Sequence, residues 1–199
     1  MTDDDGLLPR LMQQLTRMEN ALGRIETHLM AGNPDGQAPV IDLEESVFIS
    51  YRRSDSAYIT GRIYDRLSAH FGAGNVFLDV DDILLGRDFT LQLQQQLEVC
   101  DLLLVIIGPT WLNVTDAETG ERRLDNQNDV VRQEVQIGLR RDIPVIPVLV
   151  RGTQMPDEAE LPFRLKPLAD KSGTAIRPDP NFHTDVEQLI FRILQTLQS

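Results

Sequence analysis

The chain has 199 residues, 41% hydrophobic and 25% charged, with a formal charge of −12 at pH 7, which allows one domain of about 150 residues plus an appendage, and not two full domains. That charge argues against nucleic acid or an anionic membrane held by bulk electrostatics, and no run approaches the ~18 apolar residues of a membrane span. A single cysteine, Cys100, excludes an internal disulfide and a cysteine-cluster metal site. The opening "MTDDDG" is acidic where a secretory leader is basic, so the expected location is the cytoplasm.

The acidity is uneven: residues 1–45 hold nine acids against three arginines, which marks the N-terminal quarter as a separate unit. Within it, Leu8, Leu11, Leu15, Met18, Leu22, Ile25 and Leu29 recur at alternating spacings of three and four, a heptad seam over three repeats. A helix with only this stripe has no core of its own. It either packs back on the neighbouring domain or pairs with another chain, and the strict 3.5-residue period favours a coiled coil, although three heptads alone are marginal. Residues 1–30 are therefore read as an oligomerising helix. The linker, 31–43, begins "AGNPDGQAPV", with two glycines and two prolines, and the domain proper is expected over 44–199.

From there the pattern alternates. Apolar runs predict strands at "VFISY" (47–51), "VFLDV" (76–80), "LLLVIIG" (102–108) and "IPVIPVLV" (143–150), with a weaker one at "TAIR" (174–177). Helical patterns lie between or after them: Asp55 to Phe71, Asp88 to Cys100, the stretch "NDVVRQEVQIGL" (128–139), and Thr184 to Leu197. Strands apolar on both faces and separated by helices indicate a parallel sheet covered on both sides. The expected fold is α/β: a flavodoxin-like, doubly wound, five-stranded parallel sheet.

Ligands of such sheets bind beyond the carboxyl ends of the strands. The segments there are "SYRRSDS", "DVDDILLGRDF" and "GPTWLN". Neither a dinucleotide-binding glycine fingerprint nor a P-loop is present, no G-x-S-x-G elbow marks a serine hydrolase, and the acidic pair of a phosphoacceptor domain is replaced by Arg52 and Arg53. Those arginines suit an anionic ligand such as a phosphate or pair with local aspartates. Asp79, Asp81 and Asp82 suit a hard cation or a solvated, helix-capping loop. Glu134 has Val130, Val131, Ile137 and Gly138 at helical spacing, so no local cation neutralises it. It is either a surface residue bordering the buried face or a functional carboxylate whose partner comes from tertiary structure or ligand.

Taken together, "VFISYRRSDS", "FLDVDDILLGRDF", "CDLLLVIIGPTWL" and "NDVVRQEVQIGLRRDIPVIPVLV" resemble, in order and spacing over about residues 46–195, a TIR (Toll/interleukin-1 receptor) domain of the bacterial type, a family whose members often carry a helix in front. The family divides into NAD+-cleaving enzymes and signalling adaptors. The resemblance implies that Glu134 occupies the place of the enzymes' catalytic glutamate. It further implies that Ser50, Tyr51, Arg52, Arg53 and Asp79 line the nucleotide site, with Arg52 and Arg53 near the phosphates or adenine, and that Gly86 and Phe89 belong to a mobile loop, the BB loop, which closes over it. Trp111, on the loop after the third strand, and Val130 complete the candidate set. NAD+ is then a substrate and no cofactor or metal is implied. The expected partners are other TIR domains through homotypic contacts and copies of the chain through the heptads. Many bacterial members have tryptophan where this chain has Val130, so the resemblance leaves a linear or cyclic ADP-ribose product open.

Overall fold

The computed structural model describes residues 46–78, 97, 100–141 and 143–198. The expected heptad helix and linker, Asp79, Gly86 and Phe89, and most of the helix expected from Asp88 to Cys100 lie outside the described residues. In chain order the named elements are β1 (Val47–Ser50), α1 (Arg53–Phe71), β2 (Val76–Leu78), β3 (Leu102–Ile107), α2 (Val130–Arg140), β4 (Val145–Val150), β5 (Thr174–Ile176) and α3 (Phe182–Leu197).

The five strands form one sheet in the order β2-β1-β3-β4-β5, each neighbouring pair parallel. That order is the flavodoxin-like one. Its centre is β3, whose six residues "LLLVII" are all buried, as the continuous apolar run requires for a strand covered on both faces. Pro147 sits within β4 without breaking the sheet. Leu103 N–H donates to Pro144 O, so alternate residues of β4 from 144 onward face β3 and Pro147 faces β5, whose pairing begins only at Val148. Its missing donor therefore has no acceptor to serve.

Register divides the core into two layers. Phe48 pairs Leu103 and Ser50 pairs Val105, so these four share a face. On it lie Val131 and Val135 of α2 together with Trp111, Leu124, Leu161, Leu165 and Leu168, all buried in one cluster. Burying each such side chain contributes about 1.5–3 kcal/mol. The opposite face carries α1 and α3, which contact each other and bury Ile63, Leu67 and Phe71 from one and Val186, Leu189 and Ile193 from the other. Between β4 and β5 the covering layer is two 3-10 turns, Glu158–Glu160 and Phe163–Leu168.

The single thiol, Cys100, is buried, and desolvation pushes its pKa up to about 11. A thiol so protonated is inert at neutral pH.

Candidate active site

The α2 helix begins at the carboxyl edge of the sheet and runs back along β3. Its N-cap is Asp129, whose side chain accepts from Arg132 N–H, the ordinary way to satisfy a first-turn donor. Beyond the cap, Val131, Glu134, Val135 and Gly138 are the buried residues. Spacings of three, one and three place them on one stripe, so Glu134 belongs to the buried face itself. Its residue exposure is 5%. The helix comes close to the sheet because Gly138 has no side chain: a Cβ there would lie 2.3 Å from Leu103 Cδ2.

At the end of β1, Ser50 is fully buried on the α2 side of the sheet, and its Oγ has no hydrogen-bond partner among the described residues. Tyr51 beside it is also buried. Arg52 turns inward. Its Nη1 and Nη2 donate to Asp129 Oδ2 and Oδ1 at 3.0 and 2.8 Å, and its Nε donates to Trp111 O at 3.1 Å. Arg123 Nε adds a further bond to Asp129 Oδ2 at 3.0 Å. Asp129 thus joins the end of β1, the loop after β3 and the first turn of α2.

These contacts locate two of the candidate residues. Arg52, expected near ligand phosphates, is 0% exposed, and its guanidinium faces a carboxylate in a two-pronged ion pair. Trp111, one of the candidate set, is wholly buried in the cluster with Phe48, Val105 and Val131, while its carbonyl accepts from Arg52 Nε. Of the remaining candidates, Arg53 is exposed as the first residue of α1 and Val130 is half-buried as the first of α2. Asp79, Gly86 and Phe89 fall outside the described residues.

Two residues join the site that local sequence reading did not single out. Asp129 is one, and its signal was the "ND" preceding an apolar helical stripe, an N-cap pattern. The other is Asp55, in the first turn of α1 and 6% exposed. Its Oδ1 accepts Thr110 N–H at 2.8 Å and Thr110 Oγ1–H at 2.7 Å, and its Oδ2 lies 2.3 Å from where a Cβ of Gly108 would be. Gly108 therefore allows the carboxylate to tie α1 to the loop after β3.

Among the described residues no three His, Cys, Asp or Glu side chains converge as a metal-binding group, and no helix is long and apolar enough to cross a membrane. Two adjoining grooves of about 640 and 330 Å³ flank α2 on the side turned away from its buried stripe. Arg140 and Arg164 line both, and Glu134 lines neither. The arrangement at the sheet edge is thus a buried carboxylate and a buried hydroxyl on one layer, beside a helix start fixed by an ion pair. Such a layer can accept hydrogen bonds from a polyol and stabilise positive charge developing next to it.

Residues 47–190 match the family model described as "TIR domain". Among solved structures the chain is similar to the TIR domains in the "Structure of the activated Roq1 resistosome directly recognizing the pathogen effector XopQ", with 14% identity and a TM-score of 0.52, covering 75% of this chain and 99% of that one. At that identity the likeness shows the fold alone. No curated protein matches the chain significantly.

Proposed function

The chain belongs to the TIR-domain family, and from that premise we propose that it is an NAD+ nucleosidase whose charge-stabilising carboxylate is Glu134. The observation that carries the reading is the placement of Glu134, buried, within the apolar stripe of α2 between Val131 and Gly138. A carboxylate held at such a position by helix and sheet is preorganised, and that is where electrostatic stabilisation of a transition state is largest.

The chemistry suits one carboxylate. In NAD+ the nicotinamide is cationic and leaves neutral, taking the electron pair of the C1′–N bond, so no general acid has to protonate it. Positive charge develops on the ribose, as in glycoside cleavage, and a carboxylate bonded to the ribose hydroxyls stabilises it. Water then adds at C1′ and loses a proton, which gives nicotinamide, ADP-ribose and H+. Where an adenine nitrogen takes the place of water the product is cyclic. Ser50, whose hydroxyl is on the same layer, is a hydrogen-bonding group for the substrate, and Arg53, exposed at the start of α1, is the cation placed for its phosphates.

Self-association is part of the proposal. TIR domains meeting through homotypic contacts complete the site, and the heptads of residues 1–30 raise their local concentration. The setting is cytoplasmic defence, where NAD+ depletion stops an infection. The experiment is nicotinamide release from NAD+ at high protein concentration, comparing wild type with Glu134→Ala. Equal rates would remove Glu134 from the mechanism. Absence of turnover in wild type under every assembling condition would leave a non-catalytic module acting through homotypic contacts.

A further inference from the structure

Resting on the reading of Glu134 as the charge-stabilising carboxylate, we propose that Arg52 and Asp129 are positioning residues: their ion pair sets where Glu134 stands along the sheet edge, so the rate of bond cleavage depends on it.

The geometry at Asp129 is unusually complete. Its Oδ1 accepts from Arg132 N–H at 2.9 Å and Arg52 Nη2 at 2.8 Å, and its Oδ2 accepts from Arg52 Nη1 at 3.0 Å and Arg123 Nε at 3.0 Å. The side chains of Arg52 and Asp129 are 0% and 1% exposed. A buried ion pair is weak evidence for stability, because apolar residues of equal volume often stabilise as well. What a guanidinium fork on a carboxylate adds is direction, since two parallel bonds define both distance and angle.

Val131, Val135 and the contact of Gly138 with Leu103 press α2 onto the sheet, but apolar contacts resist separation more than sliding or rotation about the axis. Polar ties run from Arg132 Nη1 to Leu124 O and Asp125 O in the preceding loop, and from Arg141 Nη1 to Leu97 O and Cys100 O at the far end. The fork from Arg52 adds a directional tie between the carboxyl end of β1 and the N-cap. Glu134 follows Asp129 by five residues, about 7–8 Å along the helix, so a shift at the cap is transmitted to the carboxylate through a turn and a half of rigid backbone. A displacement near 1 Å in a catalytic group lowers a rate by about 100-fold.

Three variants of the full chain separate this role from simple support. Arg52→Lys keeps the charge and loses the fork. Asp129→Asn keeps the helix cap and loses the ion pair. Arg123→Gln removes one bond from the 23% exposed side and is the mildest. Each is assayed for kcat and KM in nicotinamide release, for melting temperature, and for the carboxyl 13C resonance of Glu134, assigned by its loss in Glu134→Gln. The expected result, in the variants folded at the assay temperature, is a kcat lower by about 10- to 100-fold for the first two, with KM changed less than about threefold, and a displaced Glu134 resonance graded from Arg123→Gln upward. Wild-type kcat and an unmoved resonance in any folded variant of Arg52 or Asp129 would overturn the proposal. Wild-type turnover in Glu134→Gln would instead overturn the reading of Glu134 as the charge-stabilising carboxylate, and the resonance would still decide whether the ion pair positions that side chain.

Discussion

On the α2 side of the sheet Arg52 and Asp129 meet with side chains 0% and 1% exposed, whereas between α1 and the α3 end of the chain Arg62–Asp179 and Arg66–Glu187 stand at 26% and 60%, and at 43% and 55%. The chemistry of these pairs is the same and the surroundings differ. An exposed pair is screened by water and contributes little. A buried one is costly to form and costlier to break on one side only, because the surviving charge is left in a poorly polarisable interior. The Arg52–Asp129 pair, buried on both sides, thus lies on the face where Glu134 stands, and the exposed pairs Arg62–Asp179 and Arg66–Glu187 lie on the other.

The contrast is broken most directly through Glu134. Replacing it with glutamine keeps the volume and removes the charge, and nicotinamide release is expected to fall by at least about 100-fold while circular dichroism stays native. A folded variant with wild-type turnover would place the chemistry elsewhere. The next effect is on stability. Arg52→Ala leaves Asp129 buried with one of its two arginines gone, and urea titration is expected to show a loss of about 3–5 kcal/mol. A loss below 1 kcal/mol would mean that water reaches the pair and that the two faces are electrostatically alike.

Gly138→Ala tests the same face through packing. The new methyl group meets Leu103 Cδ2 at 2.3 Å, so the leucine must rotate or α2 must move outward, at about 1–3 kcal/mol. Because Glu134 lies on the stripe just before Gly138, turnover is expected to fall with stability. An equivalent change on the outer flank of α2, Gln136→Ala, leaves both near wild type. Equal losses from the two substitutions would show that the close approach to β3 is not responsible, because alanine raises helix propensity at both positions.

How far these features were legible in the sequence follows from how local their causes are. Continuous apolar runs such as "LLLVII" specify buried parallel strands residue by residue, and α2 was visible because its stripe recurs at helical spacing with Glu134 in it. The partner of Arg52 was not visible: Asp129 is 77 positions away, and a pair so distant leaves no trace in any local period. The burial of Trp111 was hidden for a related reason: nothing in the local pattern of the loop after β3 assigns its ring to the cluster that also holds Val131 and Phe48. The 3-10 cover between β4 and β5 escaped because Pro162 and Pro167 interrupt its pattern, although Leu161, Leu165 and Leu168 fill the core as a helix would.

The outer face supplies the smallest and most specific test. Asp185, in the first turn of α3, has its pKa lowered from the ordinary 3.8, chiefly by the hydrogen bond from the Arg177 guanidinium and also by Arg177 N–H. Asp179 is lowered likewise by Arg62. A folded-state pKa below the unfolded one means that the stabilisation is fully present above about pH 3.8 and is lost as pH falls through the folded value. Asp185→Asn removes that term at every pH. The variant is therefore expected to melt below wild type at pH 6 and to converge with it only as pH falls from 3.8 through the lowered folded value, where wild-type Asp185 is protonated too. The pair Arg177–Asp185 is 58% and 3% exposed, so the gap at pH 6 should be well short of that for Arg52→Ala. A gap independent of pH would mean that Asp185 acts as a neutral hydrogen-bond acceptor, and the outer face would then owe its cohesion to α1 and α3 packing alone.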